Sequence, residues 1–230
     1  MAHSPNLLLA TLSAETFAAL DPHLETIDLK FGDVLSRALT DIDSVYFPHS
    51  GVISLVVELS LGSFVETAMI GRNGVLSASA ALDGKLSFNK SIVQLAGVSS
   101  KIDVDRLREV ADAHYPFRSL LVRHDQALFA QSQQSAACNA SHSLEARMCR
   151  WLLHMRDFAD SNDVDLTQDY LAQMLGVARP SVTNVANALQ LMGLIRYRRG
   201  HIRILDESGM KESSCECYSK VKANYDRLID

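Results

Sequence analysis

The chain has 230 residues, a net charge of −5 with a pI near 5.9, 47% hydrophobic residues and 21% charged ones. This is the composition of an ordinary globular protein with room for two modest cores, and its acidic balance argues against indiscriminate binding of polyanions. No apolar run approaches bilayer length and the opening Met1-Ala2-His3-Ser4-Pro5-Asn6 lacks a signal's basic region, so a cytoplasmic chain is expected, with Cys138, Cys149, Cys215 and Cys217 as thiols.

A short helix over residues 14–20 precedes a block of alternating apolar segments from about 27 to 102. Ile27 to Leu35, Val45 to Pro48, Gly51 to Val57, Phe64 to Gly71 and Ser91 to Ala96 are short, evenly spaced and punctuated by turn residues. Such spacing predicts a sandwich or barrel.

A helical stretch follows from about 104 to 158, interrupted near Asn139. Within it Phe117, Leu121, His124, Leu128, Gln131, Ser135 and Cys138 fall at alternating four- and three-residue steps. That is a coiled-coil seam, apolar in its first half and polar in its second. The same periodicity would serve a helix packed on its own domain. A homodimer through residues 115–137 is the preferred reading, with Phe117, Leu121, His124 and Leu128 at the interface, because of what comes next in the chain.

Residues 167–185 read as a helix-turn-helix. Ala172 is small where two helices must touch, Gly176 supplies the turn, and Val182, Val185, Ala186 and Leu189 form the inner face of the second helix. That leaves Arg179, Ser181, Thr183, Asn184 and Asn187 to face DNA, with Pro180 tolerated in the first helical turn. Residues 193–205 then alternate apolar and basic about Arg199-Gly200, as a two-stranded wing would. Arg196, Arg198, Arg199 and Arg203 face outward from it. From Tyr170 to Leu205 there is no Asp or Glu, while Arg179 and these wing residues are all basic. A basic segment on an acidic chain is an electrostatic footprint for phosphate, and helix-turn-helix proteins read two-fold operators as pairs.

Other chemistries find little support. A metal-dependent cupin needs several histidines converging from neighbouring strands, and the strand block offers only His49. No Gly-x-Ser-x-Gly, Gly-x-x-x-x-Gly-Lys or His-Glu-x-x-His occurs, so the chain does not read as an enzyme. Cys215-Glu216-Cys217 places two thiols close together, but a structural zinc takes four ligands and the sequence shows no matching second pair. No metal or cofactor is expected.

The order of parts resembles the Crp/Fnr family of bacterial transcription regulators over residues 12–205. Lys30-Phe31-Gly32-Asp33-Val34-Leu35, Val45-Tyr46-Phe47-Pro48-His49-Ser50-Gly51 and Ile70-Gly71-Arg72-Asn73-Gly74-Val75 are similar to the family's barrel and effector cassette, and residues 167–205 to its winged helix-turn-helix. The resemblance implies an α+β fold: an N-terminal cyclic-nucleotide-binding-like β-barrel of jelly-roll type, a long dimerisation helix and a C-terminal winged helix-turn-helix. The boundaries would be 1–113 for a sensory domain with short helices, 114–139 for the helix, and 140–230 for the DNA-binding domain with a helical tail. The partners implied are double-stranded operator DNA, a second copy of the chain and, for an activator, RNA polymerase; no membrane is among them. The alternative is a barrel-based regulatory or metal-cupin protein without DNA binding.

The family's cyclic-nucleotide binders carry a Gly-Glu pair for the ribose and an Arg for the cyclic phosphate. Here Gly74-Val75 and Lys90-Ser91 stand in those places, which removes a carboxylate and replaces a bidentate guanidinium by a point charge. Gating by cyclic AMP is therefore not expected, and the effector is unknown. Any effector site is expected between Gly74, Val75, Lys90 and Ser91 on the barrel and Gln131 to Ser135 on the helix. Oxygen-sensing relatives use an N-terminal cysteine cluster, yet this chain has no cysteine before Cys138. For haem only the lone His23 and His49 offer themselves, and both read as ordinary surface or satisfied histidines.

Overall fold

The computed structural model describes residues 4–60 and 62–229. Met1, Ala2 and His3, on which the reading of the N-terminus partly rests, lie outside the described residues. Two short helices open the chain, α1 (Leu7–Ala10) and α2 (Ala14–Leu20), the second started by Ser13, whose side chain accepts from the Thr16 amide. Seven strands follow: β1 (Glu25–Leu29), β2 (Val34–Ser36), β3 (Ser44–Pro48), β4 (Val52–Glu58), β5 (Phe64–Ile70), β6 (Lys90–Leu95) and β7 (Gly97–Asp103). They form two antiparallel sheets, ordered β1-β7-β3 and β2-β6-β4-β5, rather than one closed barrel. This is the jelly-roll way of covering both inner faces. Gly51 makes the β3–β4 corner with φ +79°, where an added Cβ would lie 2.5 Å from the Leu95 carbonyl oxygen.

Three helices come next. Asp103 caps α3 (Val104–Ala113), Pro116 sits in the first turn of α4 (Tyr115–Ser141), and Ser143 caps α5 (Leu144–Ala159). The break in the helical stretch thus falls at His142-Ser143, a few residues beyond the expected Asn139, because the cap and not the polar run ends the helix. The C-terminal part contains β8 (Asp163–Asp165), α6 (Gln168–Leu175), α7 (Arg179–Leu191), β9 (Ile195–Arg198), β10 (His201–Ile204), α8 (Glu207–Ser213) and α9 (Cys217–Ile229).

The two halves share a core. Val52, Val56, Met69 and Ile92 from the four-stranded sheet pack in one cluster with Trp151, Leu152, Leu171, Val182 and Ile202. Across this joint Glu66 is buried, accepting from Trp151 Nε1 at 2.8 Å and from Ser54 Oγ at 2.5 Å. Loss of water pushes its carboxyl up to about 7, against the pull of Ser54, Arg150 and Trp151.

The expected interface on α4 needs correction. Phe117, Leu121 and His124 are buried within their own chain, and Leu128 is half-buried against the sheet. Phe117 and Leu121 pack with Leu8, Leu20, Val75 and Leu107, while the His124 Nε2 accepts from the Val75 amide at 3.1 Å. The periodicity reports burial, and the burying surface is the chain's own sensory block together with α9. A second correction concerns the cysteines: Cys215 and Cys217 do meet a second pair, Cys138 and His142, brought together from distant parts of the sequence.

Candidate nucleic-acid interface

Thr167 begins the helix-turn-helix by accepting from the Tyr170 amide at 3.2 Å. Gly176 ends α6 in the left-handed region at φ +64°, and Arg147 from α5 donates to the Leu175 carbonyl that this ending leaves free. Helix α7 then starts with Arg179-Pro180, buries Val182, Ala186 and Leu189, and half-buries Val185. Arg179, Asn184 and Asn187 stand exposed on the opposite side, and Ser181 is half-buried beside them. Arg179 meets the exposed carboxylate of Asp169, at 3.3 Å, a pair that water and salt readily loosen.

Thr183 departs from the expected list. Its hydroxyl donates to Gln168 Oε1 at 2.7 Å and also reaches the Arg179 carbonyl at 3.2 Å, so it braces the two helices against each other.

The wing is an antiparallel pair, β9 and β10, with Ile202 opposite Tyr197 and Arg203 opposite Arg196. Arg199 at φ +50° and Gly200 at φ +82° make its two-residue turn. Gln190 on α7 accepts from the Tyr197 amide at 2.8 Å, which fixes the wing to the second helix. Arg196, Arg198, Arg199, His201 and Arg203 line one open concavity there.

The wing has a third strand that sequence reading missed. β8 pairs with β10 and brings Asp163 and Asp165 to it. Arg203 is held by Asp163 through two bonds of 2.6 and 2.8 Å, and His201 by Asp165 at 2.6 Å and Asp163 at 2.9 Å. These contacts, Asp165 first, raise the His201 ring above its ordinary value. Arg203 is therefore a fastener of the wing, and Arg196, Arg198 and Arg199 are the wing arginines left for a ligand among the described residues. The signal was faint: Asp163-Val164-Asp165-Leu166 alternates, but it is short and half of it is Asp, a residue depleted in strands.

The expected effector residues are not gathered into one pocket. An added Cβ on Gly74 would stand 2.8 Å from His124 Nε2, and Val75 is fully buried. Lys90 pairs with Glu58 at 2.7 Å, Ser91 shares a 2.7 Å hydrogen bond with Ser36, and Ser135 is buried. Gln131 lies 2.9 Å from the Tyr225 hydroxyl, and its amide is placed to take both backbone groups of Met69 at 3.1 Å. The cavity that does lie between sheet and α4, of about 160 Å³, is lined instead by Ser36, Leu76, Ser77, Ser79, Ser87, Asn89, Asp125 and Leu128, among others. His49, one of the lone histidines, is occupied with Ser100 Oγ at 2.7 Å.

Residues 146–213 match the Crp-like helix-turn-helix domain family. The chain is 27% identical over 208 residues, 82% of its own length and 93% of the other's, to the transcriptional regulator SdrP of Thermus thermophilus. Among solved structures it is similar to FixK2 from Bradyrhizobium japonicum, with 12% identity, 84% of this chain and 98% of that one covered, and a TM-score of 0.70. A Crp/Fnr-family transcriptional regulator from Thermus thermophilus is similar at 22% identity, over 83% and 98% of the two chains, with a TM-score of 0.66.

Proposed function

We propose that the chain, a DNA-binding transcription regulator of the Crp/Fnr type and not an enzyme, works in the cytoplasm as a homodimer on a two-fold operator, without gating by cyclic AMP. The observation that carries the DNA reading is the juxtaposition of exposed Arg179, Asn184 and Asn187 on α7 with a wing concavity whose Arg196, Arg198 and Arg199 face solvent. Arg179 and the two asparagines read base edges, with Ser181 at their margin, while the wing arginines hold phosphates. Residues 1–113, 114–139 and 140–230 serve as sensor, dimer helix and reader. RNA polymerase is the further partner if the regulator activates.

The dimer is assigned to the face of α4 that its own chain leaves uncovered. Tyr115, Val122 and Phe129 stand seven residues apart and are 78%, 42% and 65% exposed. Ala136 continues the stripe, also exposed. Such a heptad stripe against its two-fold copy is a parallel coiled-coil contact, and covering it removes apolar surface from water.

Against cyclic AMP stand the filled space beside Gly74 and the character of the neighbouring cavity. Among the described residues that cavity is lined by Asp125 and by no Lys or Arg, so a cyclic phosphate would meet a carboxylate and no cation.

The test is operator selection from a random DNA pool followed by binding of Arg179→Ala. The mutant should lose about 1 to 3 kcal/mol and relax one base position in each half-site. Equal weakening on every sequence would make Arg179 a phosphate contact. Micromolar binding of cyclic AMP or cyclic GMP in calorimetry would remove the ungated reading.

A further inference from the structure

Cys138 lies in the last turns of α4 and His142 directly follows that helix. Cys215 and Cys217 flank the start of α9, separated only by Glu216. The ligand atoms of these four residues all lie within 4.8 Å of one another. Cys138 Sγ is 3.4 Å from Cys215 Sγ, and Cys217 Sγ is 3.6 Å from His142 Nδ1. A tetrahedral ion with metal–sulfur bonds of about 2.3 Å spaces its sulfurs about 3.8 Å apart. The cluster therefore has the dimensions of a single-ion site. An iron–sulfur cube would hold its thiolates further apart.

The surroundings are those that a metal–thiolate centre requires. With Nδ1 turned to the sulfurs, His142 presents Nε2 to the Glu216 carboxylate at 3.3 Å, the carboxylate–imidazole–metal order that fixes tautomer and ring orientation. Gln134 Nε2 donates to Cys217 Sγ at 3.0 Å and so fixes the direction in which that sulfur faces. Three thiolates around a dication leave one negative charge. Burial is the largest influence on the Cys138 thiol and raises it, with the Arg150 charge pulling the other way. Arg150 and Arg147 are 5% and 8% exposed, and the Nε of each lacks a hydrogen-bond partner among the described residues. Cys138, Cys215 and Cys217 are buried, while His142 is part-exposed and leaves an entry path.

We propose that Cys138, His142, Cys215 and Cys217 bind one zinc ion as a tetrahedral three-thiolate, one-imidazole site. Binding releases the three thiol protons to solvent and leaves the imidazole neutral, with no change of oxidation state. Three sulfur ligands select against magnesium and calcium, and the tetrahedral spacing suits zinc. The ion clips the start of α9 to the junction of α4 and α5, where the sensor gives way to the DNA reader.

The experiment is elemental analysis and native mass spectrometry of the full chain purified with reductant. One zinc per chain is expected, lost in Cys215→Ser and His142→Ala and kept in Cys149→Ser, whose thiol lies in a separate core. Since a ligand variant can misfold, the unaltered chain is also stripped with chelator and titrated with cobalt(II). It should develop the intense visible bands of a tetrahedral cobalt–thiolate centre at one equivalent. The proposal is overturned by a metal-free chain that gives only weak octahedral cobalt absorption, by stoichiometric iron or copper in place of zinc, or by a Cys138–Cys215 disulfide in peptides from protein whose thiols were trapped at lysis.

Discussion

Helix α4 has two faces that invert the usual expectation. The face with polar steps, His124, Gln131 and Ser135, is buried by its own chain, whereas the face bearing Tyr115, Val122 and Phe129 is exposed. Buried polar groups are tolerable on the inner face because each of the first two has a partner: the Val75 amide for His124, Tyr225 and the Met69 backbone for Gln131. Exposed aromatics on the outer face have no such account within one chain. Hydrophobic periodicity finds a helix's buried stripe but does not say whether a neighbour in the chain or a second molecule buries it.

Charge placed on each face separates the two roles most sharply. Leu121→Glu puts an unpaired carboxylate into a fully buried position and should cost more than about 4 kcal/mol, seen as loss of the cooperative melting transition. Val122→Glu with Phe129→Glu should leave the fold intact and give a monomer in sedimentation with weak operator binding. A folded dimer from the outer-face pair would place the interface elsewhere.

The sheet–reader joint gives a smaller effect with a defined pH window. The folded chain holds the Glu66 proton up to about 7, while the unfolded chain releases it in the ordinary carboxylate range. Stability from this group is thus fully present below the unfolded pKa and lost as pH rises through about 7. Glu66→Gln should stabilise the protein at pH 8 by about 1 to 3 kcal/mol and flatten the pH dependence of its denaturant midpoint between about 5 and 7. An unchanged profile would mean that the joint admits water.

Wing residues should divide by partner. Arg198→Ala should flatten the salt dependence of operator binding by about one unit of logarithmic slope, and Arg203→Ala by much less, because Asp163 already neutralises Arg203. Equal slopes for both would return Arg203 to the phosphate contacts. The smallest change expected is a titration. His201, raised by Asp165 and then Asp163, stabilises the wing fully below its unfolded pKa and loses that contribution as pH rises through its raised folded value. In Asp165→Asn its proton-NMR titration should move down toward an ordinary histidine, and a titration that stays put would deny the contact in solution.

Much of the reader was legible because its signals are local. Thr167, Gly176, Pro180 and the Arg199-Gly200 turn each mark a backbone event within a few residues, and the structure has a cap, a left-handed turn, a helix start and a hairpin there. What escaped depends on residues far apart in the chain. β8 reaches β10 across the helix-turn-helix, so the pairing of Asp163 with Arg203 has no trace in the basic run itself. The effector residues follow from resemblance alone, and His124, 49 positions along the chain, occupies the space beside Gly74. Cys138 and Cys215 are 77 positions apart, so counting cysteines in sequence could not pair them.

Gly176 carries a consequence of its own. Its backbone makes the turn, and its bare Cα also lies against the sensor, where an added Cβ would meet Val65 Cγ2 at 3.1 Å. Nearby, Tyr170 leans on Phe31 and Phe64 with ring centres 5.4 and 6.0 Å away. The same hydrogen atom thus sets both the angle between the two reading helices and how closely the reader sits on the sensor. A larger residue at this position would strain the left-handed turn and press on Val65 together, so the angle between the reading helices and the seating of the reader on the sheet change in one step.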